Sequence, residues 1–495
     1  MSFKIAFIGA GSIGFTRGLL RDVLSVPEFQ GIDVAFTDIN EQNLDMVTQL
    51  CQRDIDENGL AVSIKATTDR KAALQDAKYI FNVVRIGGLE AFEYDVEIPL
   101  QYGIDQCVGD TLSAGGIMYG QRGIAEMLEI CKDIREVAAD DVLLLNYANP
   151  MAMLTWACNK YGGVRTVGLC HGVQNGHKQI AEALGRKKEE VDIICAGINH
   201  QTWYIDVKTD GADRTNELLE AFERHPEYKH TEKVRIDMLK RFGYFSTESN
   251  GHLSEYLPWY RKRPEEISEW IDLSSWINGE TGGYLRVCTE GRHWFETDFP
   301  NWLQEPAFEY KAENRGEEHG SYILEGLETG RVYRGHFNMV NNGIISNLPD
   351  DAIIEAPGYV DRNGINMPVV GELPLGPAAV CNNSISVQRL AVEAAVHGDD
   401  YLLRQAMMLD PLTGAVCNPK EIWQLVDDML IAQKQWLPQY QAAIQAAEQR
   451  KHSQERIPTK NYQGAARLKV KSVEEMAQDR VAANQNAGEA DKGNF

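Results

Sequence analysis

The chain has 495 residues, 43% hydrophobic and 24% charged, ordinary proportions for a globular protein with room for two or three cores at about 150 residues each. Its 49 basic residues against 72 acidic ones leave a formal charge of -23, which argues against nucleic acid or an anionic membrane as partner because no general field draws phosphates in. The first residues show no signal-peptide pattern and no run of about 18 apolar residues suggests a span. Nine scattered cysteines without CxxC pairs fit reduced thiols, so a cytoplasmic location is expected.

Residues 4–8, Lys-Ile-Ala-Phe-Ile, form a short continuous apolar run, the pattern of a strand buried on both faces. Gly9-Ala10-Gly11-Ser12-Ile13-Gly14 follows, then a helical pattern at Phe15, Leu19, Leu20, Val23 and Leu24. Strand, GxGxxG and helix make the dinucleotide fingerprint: one glycine for the turn, one for approach to a pyrophosphate, one for packing helix on strand. The helix start offers free N–H groups to phosphate. A second strand at 34–37 ends in Asp38, suited to accept from a ribose hydroxyl and to repel a 2′-phosphate, so the cofactor expected is NAD.

Further strands are predicted at 79–84, 142–145 and 167–169, with a crossover helix over 123–137. The alternation implies an α/β fold with a Rossmann-like, doubly wound parallel sheet. Polar residues collect after the strands: Arg85, Asn146 and Asn149, then Cys170 and His171. Ligands of open parallel sheets bind there. A small-residue loop over 108–118 carries Asp110, which reads either as a helix cap or as a site acid or base. Another apolar run ends at Asn199 and His200. Cys170 and His200, at the ends of two strands, suit a divalent transition metal; the alternative is a buried small residue and a hydrogen-bonded core histidine.

Beyond residue 200 a mixed α+β substrate and oligomerisation domain is expected to about residue 450. Residues 210–240 read as helical, and 242–261 hold aromatic rings among polar groups, either a sugar-pocket wall or a core-facing loop. Strands are predicted over 343–349 and 352–357, a tight turn at 361–364, and helices over 384–397 and 419–436. Residues 451–495 are polar and expected to be disordered or loosely docked.

Together the segments at 7–12, 109–118, 146–153, 167–171, 195–200, 243–249 and 347–349 resemble glycoside hydrolase family 4, the NAD- and manganese-dependent glycosidases, and within it the α-galactosidase (melibiase) branch. The likeness runs from about residue 3 to about residue 440. It implies chemistry outside the usual two-carboxylate scheme: hydride removal from carbon 3 of the sugar, proton removal from carbon 2 assisted by a metal, loss of the glycosidic oxygen, addition of water and return of the hydride. By this resemblance Cys170 and His200 are metal ligands, Asn149 holds sugar hydroxyls, Tyr256 is the carbon 2 base, and Gly9, Gly11, Ser12, Gly14, Asp38 and Arg85 form the dinucleotide set.

A tyrosine base at an ordinary pKa of about 10 needs the metal and neighbouring positive charge to lower it. The leaving-group acid is His171 or Asp110, since phospho-sugar members carry an Asp where His171 stands. They also carry basic residues after the 79–84 strand, where this chain has Glu90, Phe92 and Glu93, so an unphosphorylated α-galactoside is expected. The alternatives are an α-glucosidase or α-galacturonidase of the same family, or an NAD-dependent hydroxyacid dehydrogenase. The resemblance further implies a homodimer or homotetramer.

Overall fold

The amino-terminal apolar run becomes β1 (Lys4–Ile8) in a computed structural model that describes residues 3–293, 297–453 and 455–479. Parallel partners flank it: β2 (Asp33–Thr37) pairs Ile5 with Val34, and β4 (Tyr79–Asn82) pairs Ile5 with Tyr79. β5 (Leu143–Asn146) and β6 (Thr166–Gly168) continue the parallel array. β3 (Ile64–Thr67) adds an edge that the sequence hid, because only Ile64 of its four side chains is buried.

Past β6 the sheet continues without a break. The hairpin of β7 (Val191–Ile198) and β8 (Gln201–Thr209), with β9 (Ala212–Asp213), β10 (Phe245–Ser246), β11 (Tyr333–Val340), β12 (Ile353–Asp361) and β13 (Gly364–Asn366), joins it antiparallel. The order is β10-β8-β7-β12-β11-β6-β5-β4-β1-β2-β3, with β9 on β8 and β13 on β12. Residue 200 therefore lies in a hairpin turn, and strands from both sides of it share one sheet. The Ser113–Val137, Leu375–His397 and Pro419–Ala432 helices bury one face, while the Ile13–Leu24 and His319–Thr329 helices bury the other.

Several elements differ from expectation. The crossover helix starts at Ser113, ten residues early, because Gly115 and Gly116 serve close packing: a Cβ on Gly115 would lie 2.6 Å from the Asp95 carbonyl, and one on Gly116 would overlap the Thr111 backbone. Leu112 is its N-cap, so Asp110 does not cap it. Residues 343–349 form turns around Asn341, whose amide donates to the carbonyls of Ile345, Leu348 and Pro349. The helix expected over 384–397 begins at Leu375. The 361–364 turn joins β12 to β13.

The polar tail is docked over its described part: Lys460 N–H donates to the Gln101 carbonyl at 2.7 Å and Thr281 N–H to that of Ala466 at 2.9 Å. Polar bonds hold it, so no hydrophobic period announces it. Residues 480–495 lie outside the described residues. No described helix is long and apolar enough to cross a membrane.

Asp95, Arg122 and Gln433 lock the carboxy-terminal helices to the nucleotide half. The guanidinium forks onto Asp95 at 2.9 and 2.5 Å and reaches Gln433 at 2.7 Å, with both charged side chains fully buried. Arg122→Ala leaves Asp95 buried and unpaired, and is expected to cost roughly 3–5 kcal/mol in urea unfolding; a loss below about 1 kcal/mol contradicts this anchoring role.

Candidate active site

At the end of β1, Gly9 takes a left-handed backbone (φ +83°), and a Cβ there would lie 2.9 Å from the amide nitrogen of Val84. Gly11 N–H donates to Asp38 Oδ2 at 2.8 Å, and Asn40 N–H to Oδ1 at 2.8 Å. The Asp38 carboxylate is thus fixed at the end of β2 with acceptor capacity left for hydroxyls. Ser12 is the N-cap of the Ile13–Leu24 helix and makes no side-chain cap bond, which leaves first-turn N–H groups available to an anion. Gly14 corrects the reading of the fingerprint. A Cβ on it would meet nothing within 4 Å, so it does not serve helix–strand packing and instead leaves the helix start open. Phe15 likewise faces outward, 40% exposed.

Four strands and turns away, a second group assembles. Cys170 follows β6, and His200 occupies the β7–β8 turn with a left-handed backbone (φ +62°). Between them stands Glu248: Cys170 Sγ donates to its Oε2 at 3.3 Å, and His200 Nε2 lies 3.3 Å from the same oxygen. The three ligand atoms lie within 4.8 Å of one another. Thr111 Oγ1 donates to Asp110 Oδ1 at 2.9 Å and sits 3.0 Å from His200 Nδ1. With its one proton directed to Asp110, that hydroxyl accepts from Nδ1–H, which turns the Nε2 lone pair toward Glu248. Two acceptors at that separation require positive charge between them, a proton or a metal ion.

The electrostatics suit a cation. Burial alone would raise the Glu248 carboxyl, but the imidazoles of His200, His252 and His171 bring it down to about 2. Burial, with Glu248 and Glu355 beside it, pushes the Cys170 thiol well up. Burial and Glu248 raise Glu355 to about 8. Asn199, Asn338 and Glu355 carry buried polar atoms without a well-formed hydrogen bond, an unusual concentration of unmet demand. Sulfur, imidazole nitrogen and carboxylate oxygen form a donor set that fits a divalent transition metal. Asp110, His200 and His252 form an overlapping second cluster.

Asn149 Nδ2 donates to Asp110 Oδ2 at 3.1 Å, which ties the residue after β5 to the same centre. The Asn250–Tyr256 helix adds His252, its ring 4.9 Å from that of His200, and Tyr256, 6.0 Å from His252. The Tyr256 hydroxyl is buried without a well-formed hydrogen bond. Burial, then Glu255 and Asp110, pushes its ionisation well above the usual value. The positive neighbours expected from sequence are thus carboxylates among the chain's own groups. His171 is the N-cap residue of the Gly172–Ala183 helix and half-exposed; Nδ1 lies 3.2 Å from Glu318 Oε1, and this bond raises the imidazole to about 9.

Arg85 follows β4, but its guanidinium turns into a box of Phe92, Tyr284 and Tyr119, with centroids 4.6, 5.1 and 5.4 Å away, and donates to Tyr284 Oη at 3.0 Å. Its Nη1 is buried without a partner. The structure thus brings Asp110, Asn149, Cys170, His171, His200 and Tyr256 together, and sets Gly9, Gly11, Ser12, Gly14 and Asp38 along the same carboxyl edge of the sheet. Sequence reasoning missed Glu248, Glu355 and His252. Glu248 and His252 lay inside the aromatic stretch at 242–261, where nothing distinguished them from other polar residues.

A family model described as "Family 4 glycosyl hydrolase" matches residues 4–186, and one described as "Family 4 glycosyl hydrolase C-terminal domain" matches residues 195–413. The chain belongs to family 4 of the glycosyl hydrolases. This family 4 chain is 58% identical over 487 residues to an alpha-galactosidase of Rhizobium meliloti, covering 98% of this chain and 99% of the relative. An alpha-galactosidase of Bacillus subtilis is 36% identical, covering 88% and 99%. Among solved structures, a 6-phospho-alpha-glucosidase from gut microorganisms, in complex with NAD and glucose-6-phosphate, superposes with a TM-score of 0.72 at 26% identity, covering 88% of this chain and 99% of that one.

Gly172 gives a direct test of the metal site. A Cβ there would overlap the Glu248 carboxylate, so Gly172→Ala displaces that ligand while keeping Cys170 and His200. Manganese(II) affinity by calorimetry is expected to fall about 10- to 100-fold; unchanged affinity removes Glu248 from the ligand set.

Proposed function

We propose that this family 4 chain is an α-galactosidase that hydrolyses unphosphorylated α-galactosides with NAD and a divalent metal, manganese by family likeness. The observation that carries the reading is the Cys170–Glu248–His200 cluster, joined through Thr111 and Asp110 to Asn149, on the same sheet edge as the Gly11–Asp38 turn. Cys170, Glu248 and His200 would hold the divalent ion, and the Gly11–Asp38 turn would hold the dinucleotide, along the edge where open α/β sheets bind ligands. The α-galactoside preference is supported by the two alpha-galactosidase relatives.

When bound, NAD supplies a hydride acceptor for a sugar carbinol, and the divalent ion supplies a Lewis acid that acidifies the carbon beside the resulting carbonyl. The chain's own residues do the rest. Asn149, oriented by Asp110, offers its remaining amide capacity to sugar hydroxyls. Tyr256 Oη, buried beside His252 without a well-formed hydrogen bond, would take the carbon 2 proton, and because its own charged neighbours are carboxylates that role needs the positive charge a bound divalent ion would bring. His171 stands half-exposed at the helix start, paired with Glu318, where it can hand a proton to the departing oxygen; Asp110 is buried and engaged with Thr111 and Asn149. Phe92 stands in the stretch after β4 where, by the family resemblance, phospho-sugar members carry basic residues, and it is buried against Arg85; the aromatic residue there supports an unphosphorylated sugar. A cytoplasmic homodimer or homotetramer completes the reading, with the assembly measurable by sedimentation equilibrium.

Hydrolysis of an aryl α-galactoside in deuterium oxide tests the reaction. Deuterium is expected at carbon 2 of the released galactose, with activity lost on removal of NAD or metal; activity without NAD and without deuterium contradicts it. Tyr256→Phe is expected to lower kcat by about 10²- to 10⁴-fold. His171→Gln is expected to slow melibiose cleavage far more than cleavage of a nitrophenyl galactoside, whose leaving group needs no proton. The same selective loss in Asp110→Asn, with none in His171→Gln, assigns the acid to Asp110.

A further inference from the structure

The loop that delivers Asp110 is held at two points by buried carboxylates. Glu255, fully buried, accepts from three consecutive backbone N–H groups: Cys107 at 2.6 Å, Val108 at 2.9 Å and Gly109 at 3.0 Å. Asp105, also fully buried, pairs with Arg261 and accepts from Thr281 Oγ1 at 2.8 and 2.9 Å. Its remaining partners come from the far end of the chain. Tyr462 Oη donates to Asp105 Oδ2 at 2.6 Å, and Ala465 N–H donates to the same oxygen at 3.0 Å.

The tail reaches this point on a built track. Lys460 N–H meets the Gln101 carbonyl, and its ammonium meets the Tyr102 carbonyl at 2.8 Å. Gly464 has φ +98°, and a Cβ on it would overlap the Thr281 side chain, so the backbone passes Thr281 at a distance only glycine allows. Ala466 then exchanges two bonds with Thr281, its N–H to Oγ1 at 3.2 Å and its carbonyl from the Thr281 N–H at 2.9 Å, and packs its methyl on Ile267 and Ile271. These residues lie beyond the family C-terminal domain model, which ends at residue 413.

We propose that residues 460–466 form a strap that positions the active-site loop: Tyr462 and Ala465 fix Asp105, and through residues 105–110 they set where Asp110 meets Asn149 and Thr111. The consequence for turnover rests on the substrate-side role given to Asp110 above. Tyr462 and Gly464 are positioning residues and touch no reacting group.

Hydrogen exchange read by mass spectrometry on the full chain and on Tyr462→Phe, Gly464→Val and a chain ending at residue 454 tests the strap independently of activity. Amides 107–109 are expected to exchange about tenfold faster in all three, while β1 and β2 keep their protection. Aryl α-galactoside kcat is expected to fall about tenfold with NAD affinity within about twofold of the full chain; Lys469→Ala, on an exposed side chain, is the unaltered control. Unchanged exchange at 107–109 in Tyr462→Phe and Gly464→Val overturns the strap even if the shortened chain does not fold. Faster exchange with unchanged kcat overturns its link to catalysis. A full chain inactive on every α-galactoside contradicts the proposed function alone, because the exchange result still decides the strap.

Discussion

One row across the sheet brings the Cys170–Glu248–His200 cluster together. Gly168 of β6 pairs with Asn338 of β11, Asn338 with Glu355 of β12, and Glu355 with Gly197 of β7. β6 and β7 are thus three strand spacings apart, about 14 Å in a flat sheet at about 4.8 Å each, yet their trailing residues Cys170 and His200 bring ligand atoms within 4.8 Å of one another. The β6–β11 and β12–β7 seams each rest on a single pairing, so little ladder hydrogen bonding holds the sheet flat there. Glycine ends the row on both sides. A Cβ on Gly168 would lie 3.0 Å from that of Asn338, and one on Gly197 would lie 2.6 Å from the Gln201 carbonyl.

That curl carries a cost. Asn338 and Glu355 are buried in the row with unmet hydrogen-bonding atoms, and His200 holds a left-handed backbone that a β-carbon disfavours. Groups kept in such states at one place point to a ligand they are built to meet. The Thr111 hydroxyl connects the two halves of the centre, since it fixes the tautomer of His200 and the orientation of Asp110 with one proton.

The parallel half of the sheet was legible because β1, β2, β4, β5 and β6 are short apolar runs ending in polar residues, and the functional groups sit at those ends. Cys170, Asn149 and Asp38 could be placed on that logic; His200 also ends an apolar run, but its strand β7 is antiparallel to both its neighbours. Glu248 could not: it reaches the cluster because β10 pairs with β8 and carries the chain back past Cys170, a long-range consequence that no local period encodes. The strand pattern also failed at β3, where one face is solvent-exposed, and at 343–349, where an asparagine-centred turn buries apolar side chains as a strand would. The crossover helix was read late because glycines chosen for close contact look like loop. The tail looked disordered because its attachments are polar and distant in sequence.

The proposed reaction depends on sulfur, imidazole and carboxylate closing around one divalent ion. Cobalt(II) substituted into the apoprotein reads this most directly by its absorption. A thiolate-to-metal charge-transfer band is expected in the intact chain and absent in Cys170→Ser. Stoichiometric cobalt binding without such a band, or a band that persists in Cys170→Ser, contradicts it.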